Sequence, residues 1–267
     1  MHSNTGNEAI SNFFWSQNIG PVHLISISTE FYYFPKWYGA LQLDNQLRWL
    51  EADLEKANRP ENRARQPWII VGGHRPFYVN TYIDRKLQTA FEELFWRTGV
   101  DIYMAGHEHI FDLSYPVYRE QVKGKSFANP AATIYIISGS AGCIANISEF
   151  SAWPPPYTAK VSGEYGFSSM TVINATTIHF QQINHEQVWS VLLVLFSKLI
   201  LSLIFRRFLR WCTTCTSPKR STAPTTESTY SYYFFLQSYF QFINCFQVWL
   251  CLMAKQSTKQ HWHLQTC

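Results

Sequence analysis

Two stretches decide how this chain reads: QPWIIVGGHRP at 66–76 and VDIYMAGHEHI at 100–110. Each is a short apolar run that ends at a glycine and then a histidine. Such a run, rich in β-branched and aromatic residues, reads as a buried strand opening into a loop. Between the two, residues 84–98 set Leu87, Phe91, Leu94 and Phe95 along one helical face. Strand, helix, strand with buried strands is the pattern of an α/β fold. Ligand sites in such folds gather in the loops beyond the carboxyl ends of the strands. Here those loops carry His74, His107 and His109.

Working outward, PVHLISIST at 21–29 alternates and is β-branched, which predicts another strand. Residues 43–57 place Leu43, Leu47, Leu50 and Leu54 at helical spacing with charges between them, an amphipathic helix. Further strands are expected at 133–138, 169–174 and 177–183, and no internal repeat is present. The divisions this suggests are 1–130, 131–187 and a tail at 188–267.

A neutral imidazole offers one ring nitrogen to a borderline metal while its other nitrogen is fixed by a neighbour. A single histidine after a strand is more often a hydrogen-bonded loop residue than a ligand. Three at two strand ends, each end marked by a glycine, favour a metal site, with His74, His107 and His109 as ligands. Two ions about 3.5–4 Å apart clamp phosphate and activate water, but such a centre normally also needs carboxylates. His23 and His179 fall within strands with no partner motif and read as structural. His261 and His263, in the tail, read as incidental.

Val71-Gly72-Gly73-His74 resembles the Val-x-x-His block of the purple acid phosphatases, and Gly106-His107-Glu108-His109 resembles their Gly-His-x-His block. Asn18 to His23, Ser28-Thr29-Glu30, Gln46 to Leu50, Ile137 to Gly142 and Glu164-Tyr165-Gly166 are also similar to segments of that family, with particular similarity to the animal type 7 acid phosphatases. The resemblance spans about Ser3 to Glu186. It implies the C-terminal part of a metallophosphoesterase β-sandwich flanked by helices, and a hydrolase of phosphate monoesters with a dinuclear centre of iron with zinc, manganese or a second iron. It further implies His74 and His107 as ligands of the divalent ion and His109 as a ligand of the ferric ion. The family's other ligands, two aspartates, a tyrosine and an asparagine, come from upstream blocks without a counterpart here. Gly6-Asn7-Glu8 lacks the histidine of the corresponding family block. No histidine lies between His74 and His107, where the family usually carries one that meets substrate. The expected sandwich is therefore incomplete, with an uncovered sheet edge or core face, weak metal affinity and impaired catalysis. The alternative is a non-catalytic or membrane-anchored remnant.

Composition bounds the remaining classes. The 267 residues carry a net charge of +4 with only 15% charged residues and 46% hydrophobic ones. With basic residues scattered, nothing forms the stripe that nucleic acid requires, and the resemblance leaves a phosphate ester as the partner. Met1 to Ser16 is polar and lacks the apolar core of a signal peptide, although the family is secreted. Two glycosylation sequons, at Asn146 and Asn174, fit a secretory ancestry. Five of the six cysteines lie beyond residue 200, and Cys212 and Cys215 lack a second pair at zinc spacing. The run 188–205 is almost wholly apolar and is followed by Arg206, Arg207 and Arg210, so it is a candidate membrane segment, although short of the roughly 20 residues of a span.

Overall fold

The computed structural model describes residues 13–142, 146–184, 188–194, 232–237 and 249–254, the last three segments as backbone strands. The chain begins with an antiparallel pair, β1 (Trp15–Ile19) and β2 (Val22–Ser26). A 3-10 turn at Glu30–Tyr32 and one helical turn, α1 (Pro35–Tyr38), lead into α2 (Leu41–Ala57). After α3 (Pro60–Arg63) comes β3 (Trp68–Gly72), and α4 (Arg85–Thr98) crosses to β4 (Ile102–Ala105). Then follow β5 (Phe111–Ser114), the short hairpin β6 (Val117–Tyr118) and β7 (Gln121–Val122), β8 (Ile134–Ser138) and β9 (Thr158–Ser162). The last strands are β10 (Gly166–Asn174), β11 (Thr177–Asn184), β12 (Val188–Val194), β13 (Tyr232–Gln237) and β14 (Trp249–Ala254).

One sheet of seven strands runs β1-β2-β3-β4-β8-β5-β9, and a second of five runs β12-β11-β10-β13-β14. Strands β2, β3, β4 and β8 are mutually parallel, with antiparallel strands at both edges. Alternation along the parallel strands assigns the two faces. Ile25, Ile69, Val71 and Tyr103 join Leu50, Leu54, Leu87, Phe91 and Phe95 of α2 and α4 in one core. Val22, Leu24, Trp68, Ile70, Ile102, Met104, Ile134 and Ile136 face the second sheet, meeting Met170, Val172, Ile178 and Phe180. The first sheet is thus covered by helices on one side and by a sheet on the other, and its parallel strands carry apolar side chains on both faces.

Helix α4 begins where the sequence places it. The Asp84 carboxylate accepts the amides of Lys86 and Leu87, both at 3.1 Å, and Gly99 ends the helix at φ 63°. Strand β1 precedes residue 20 and forms the edge of the first sheet; its own residues, WSQNI, include no acidic one, and Ser16 donates to Asp53 of α2 at 3.0 Å. On the surface, Trp37 and Leu41 are 72% and 74% exposed. The apolar run from Val188 opens as strand β12 antiparallel to β11, consistent with Val188, Val191 and Val194 along it. Residues 195–205, Gly6-Asn7-Glu8 and the Cys212–Cys215 pair lie outside the described residues. Among the described residues no helix is long and apolar enough to cross a membrane.

Candidate metal site

Strands β3 and β4 are parallel neighbours, so their carboxyl ends open side by side. The Gly73 amide donates to the Met104 carbonyl and the Gly106 amide to the His74 carbonyl, both at 3.0 Å, which staples the two loops together. Gly73 is required by close approach: a Cβ there would lie 2.4 Å from the Tyr103 hydroxyl. At the mouth of β8, a Cβ on Gly139 would lie 1.9 Å from the Glu108 carbonyl oxygen, so the Gly-His-Glu-His loop rests directly on backbone. His107 itself has φ 64°, in the left-handed region that non-glycine residues seldom occupy.

These constraints turn two imidazoles toward each other. Nδ1 of His107 lies 3.0 Å from Nε2 of His74, with the rings nearly perpendicular and their centres 4.7 Å apart. His109 is anchored separately. Its amide donates to Ser148 Oγ at 2.8 Å, and its Nδ1 donates to the Asn146 carbonyl at 3.2 Å. Among the described residues no three histidine, cysteine or acidic side chains come together in one group. The structure brings His74 and His107 into direct contact and anchors His109 on its own clamp, near enough for its charge to act on both rings.

Charged neighbours frame the pair. The Arg75 guanidinium, stacked 4.1 Å over the Tyr33 ring, meets Glu30 at 2.7 and 3.3 Å and reaches Nε2 of His107 at 3.0 Å. Its backbone is fixed as well: the Arg75 amide donates to Thr29 Oγ1 at 3.0 Å, and the Tyr103 hydroxyl donates to its carbonyl at 2.7 Å. On the outer side, the Tyr82 hydroxyl donates to Glu108 at 2.6 Å. Burial, aided by the charges of His107, Arg75 and His109, pushes the His74 imidazole down to about 3, and burial and then Arg75 lower that of His107. Both rings are neutral near pH 7, the form whose nitrogen lone pairs serve a cation. With Glu30 and Glu108 against Arg75, the surroundings carry one net negative charge.

None of Arg75, Glu30, Tyr82 or Glu108 is singled out by the sequence. Arg75 adjoins His74, but its pairing with Glu30 joins residues 45 positions apart, and no local pattern encodes that.

Residues 132–192 match the family model of the iron/zinc purple acid phosphatase-like protein C region. Over 191 residues the chain is 39% identical to human acid phosphatase type 7, covering 65% of this chain and 43% of that protein. Over these residues the chain is similar to the purple acid phosphatases. The zebrafish acid phosphatase type 7 is 38% identical over 199 residues, with 67% of this chain and 45% of the relative covered. Among solved structures, a purple acid phosphatase from yellow lupin seeds superposes with a TM-score of 0.58 at 19% identity, over 80% of this chain and 36% of that one. This last match speaks for the fold. The chain spans less than half the length of these curated relatives.

The donor set can be tested against the family's metals. Two nitrogens 3.0 Å apart suit neighbouring positions around one ion, given zinc–nitrogen bonds of about 2.0–2.1 Å. His109 also suits a ligand, because its Nδ1 donates to a carbonyl, which puts the lone pair on Nε2. A two-ion centre is not matched, since no carboxylate joins the imidazoles in one group among the described residues. The described residues therefore fit one divalent cation at His74 and His107.

Proposed function

We propose that this chain carries the C-terminal part of a phosphomonoester hydrolase of the dinuclear-metal class, and that its described residues supply the divalent-ion side of that centre. The observation that carries the reading is the pair of neutral imidazoles, 3.0 Å apart, at the carboxyl ends of two parallel strands. Bound ions of this class polarise phosphate and activate water. This chain's own part is to present His74 and His107 from rigid strand ends, to hold His109 beside them through Ser148 and Asn146, and to keep the surroundings net negative. Two imidazoles without a carboxylate bind a cation weakly and leave catalysis impaired, and the phosphate-ester substrate follows from the same family likeness.

The test is calorimetric titration of the full chain with Zn2+ or Mn2+, paired with hydrolysis of p-nitrophenyl phosphate. Weak binding is expected that His74→Asn and His107→Asn each abolish, with phosphatase activity low and lost in the same variants. Binding and hydrolysis that survive both substitutions would sink the reading.

A further inference from the structure

His107 and His109 are two residues apart, yet their second nitrogens face opposite chemistry. His109 Nδ1 faces a carbonyl oxygen, which only accepts. That fixes its proton on Nδ1 and leaves a lone pair on Nε2. His107 Nε2 faces the Arg75 guanidinium, which only donates. A neutral His107 must therefore keep its lone pair on Nε2 and its proton on Nδ1. That proton points at Nε2 of His74, 3.0 Å away, which accepts it. The nitrogens that fit a cation are thus already joined by a hydrogen bond. A cation between them needs both lone pairs, so the His107 proton must move to Nε2, where an Arg75 N–H already stands.

Arg75 is not free to yield easily. Glu30 holds it through two contacts, Tyr33 lies under its plane, and its amide and carbonyl are both engaged. We propose that Arg75 is a positioning residue that holds His107 in the Nδ1-protonated tautomer, so that a divalent cation enters the His74–His107 pair only when Arg75 gives up that contact. The inference rests on reading the pair as a cation site. It adds that the site is latched by a donor where a metal-bound histidine would have an acceptor. Removing the guanidinium would also leave Glu30 near His107 Nε2, as the carboxylate partner that supports a metal-bound imidazole.

The experiment has two arms. In the first, long-range proton–nitrogen NMR on the metal-free full chain with 15N-histidine reads the tautomer directly. His107 is expected to show a protonated Nδ1 and an unprotonated Nε2, and the reverse pattern would overturn the proposal. In the second, Zn2+ alone is titrated into wild type, Arg75→Gln, and Arg75→Gln combined with Glu30→Gln. The double variant keeps the net charge of the wild-type pair and gives the two amides a hydrogen bond in place of the ion pair. Both variants are expected to bind Zn2+ about tenfold or more tightly than wild type, the scale on which such outer partners act. If Arg75→Gln is tighter but the double variant returns to the wild-type affinity, charge alone acts and the latch is refuted. If His74→Asn abolishes binding while both Arg75 variants match wild type, the cation site stands and the latch falls. If His74→Asn leaves wild-type binding intact, the cation site itself is wrong.

Discussion

The two ends of strands β3 and β4 each carry an arginine paired with a carboxylate, and the pairs do different work. At the amino end, Arg63 meets Asp101 at 3.4 Å and spends its other hydrogens on the carbonyls of Pro67, at 3.0 Å, and Gly99, at 2.6 Å. Asp101 accepts the Ile69 amide at 2.8 Å. Every partner beyond the pair is backbone, so this knot closes the strand ends and does nothing else. At the carboxyl end, Arg75 and Glu30 form a similar pair, but the remaining donor goes to His107. A pair whose spare valence meets backbone is structural; one whose spare valence meets an imidazole sets the state of a site.

This contrast can be broken most forcefully at the amino end. Asp101→Ala strands Arg63 and frees the Ile69 amide in a buried position. A loss of about 3–5 kcal/mol is expected from the broken pair, read by urea denaturation, while Zn2+ affinity of the folded protein stays at the wild-type value. A change in Zn2+ affinity would show that the two ends are coupled.

Asp112, on β5, adds a pH dependence of its own. Burial pushes its carboxyl up to about 7, offset in part by the Asn80 amide that it accepts at 2.7 Å. A carboxyl raised in the folded state takes up a proton on folding. Its stabilisation is complete below about pH 4, near the unfolded value, and is lost as pH rises through 7. Relative to Asp112→Asn, wild-type stability should therefore fall between these limits by up to about 1.4 kcal/mol per pH unit. Paired denaturation curves from pH 4 to pH 8 check this, and a flat difference would mean that the carboxylate is ionised throughout. The smallest effect is expected for Tyr103→Phe, which removes one buried hydrogen bond to the Arg75 carbonyl. It should cost about 1 kcal/mol and loosen the Arg75 backbone, visible as faster amide exchange at Arg75 than in wild type.

The sequence was legible where burial is two-sided. Strands β3, β4 and β8 are near-continuous apolar runs, β2 alternates, and α2 and α4 show 3.6-residue periodicity, with α4 capped by Asp84 and Gly99. Strands β1 and β9, WSQNI and TAKVS, were not legible, because edge strands are half exposed and polar. Strand β5, FDLS, was hidden by following the histidine loop directly and by its buried aspartate. His74, His107 and His109 stood out by their place after apolar runs. What orients them did not, since Glu30 acts through Arg75 across 45 positions and Ser148 holds His109 across 39. Residue type announces a ligand, whereas the sign of its partner is a property of the fold.

The clamp on His109 has a consequence in time. Its two holding groups, Asn146 and Ser148, follow it by 37 and 39 residues, while His74 precedes His107 by 33. A chain growing from its amino end holds both members of the His74–His107 pair before it holds either member of the His109 clamp. Contacts between residues far apart in sequence are slow to form, and here the later one cannot begin until nearly forty more residues have been made. At roughly 5–20 residues per second, the nascent chain spends some seconds with His74, His107 and His109 made and the clamp on His109 not yet made, so synthesis supplies the ligands before the groups that fix the last of them.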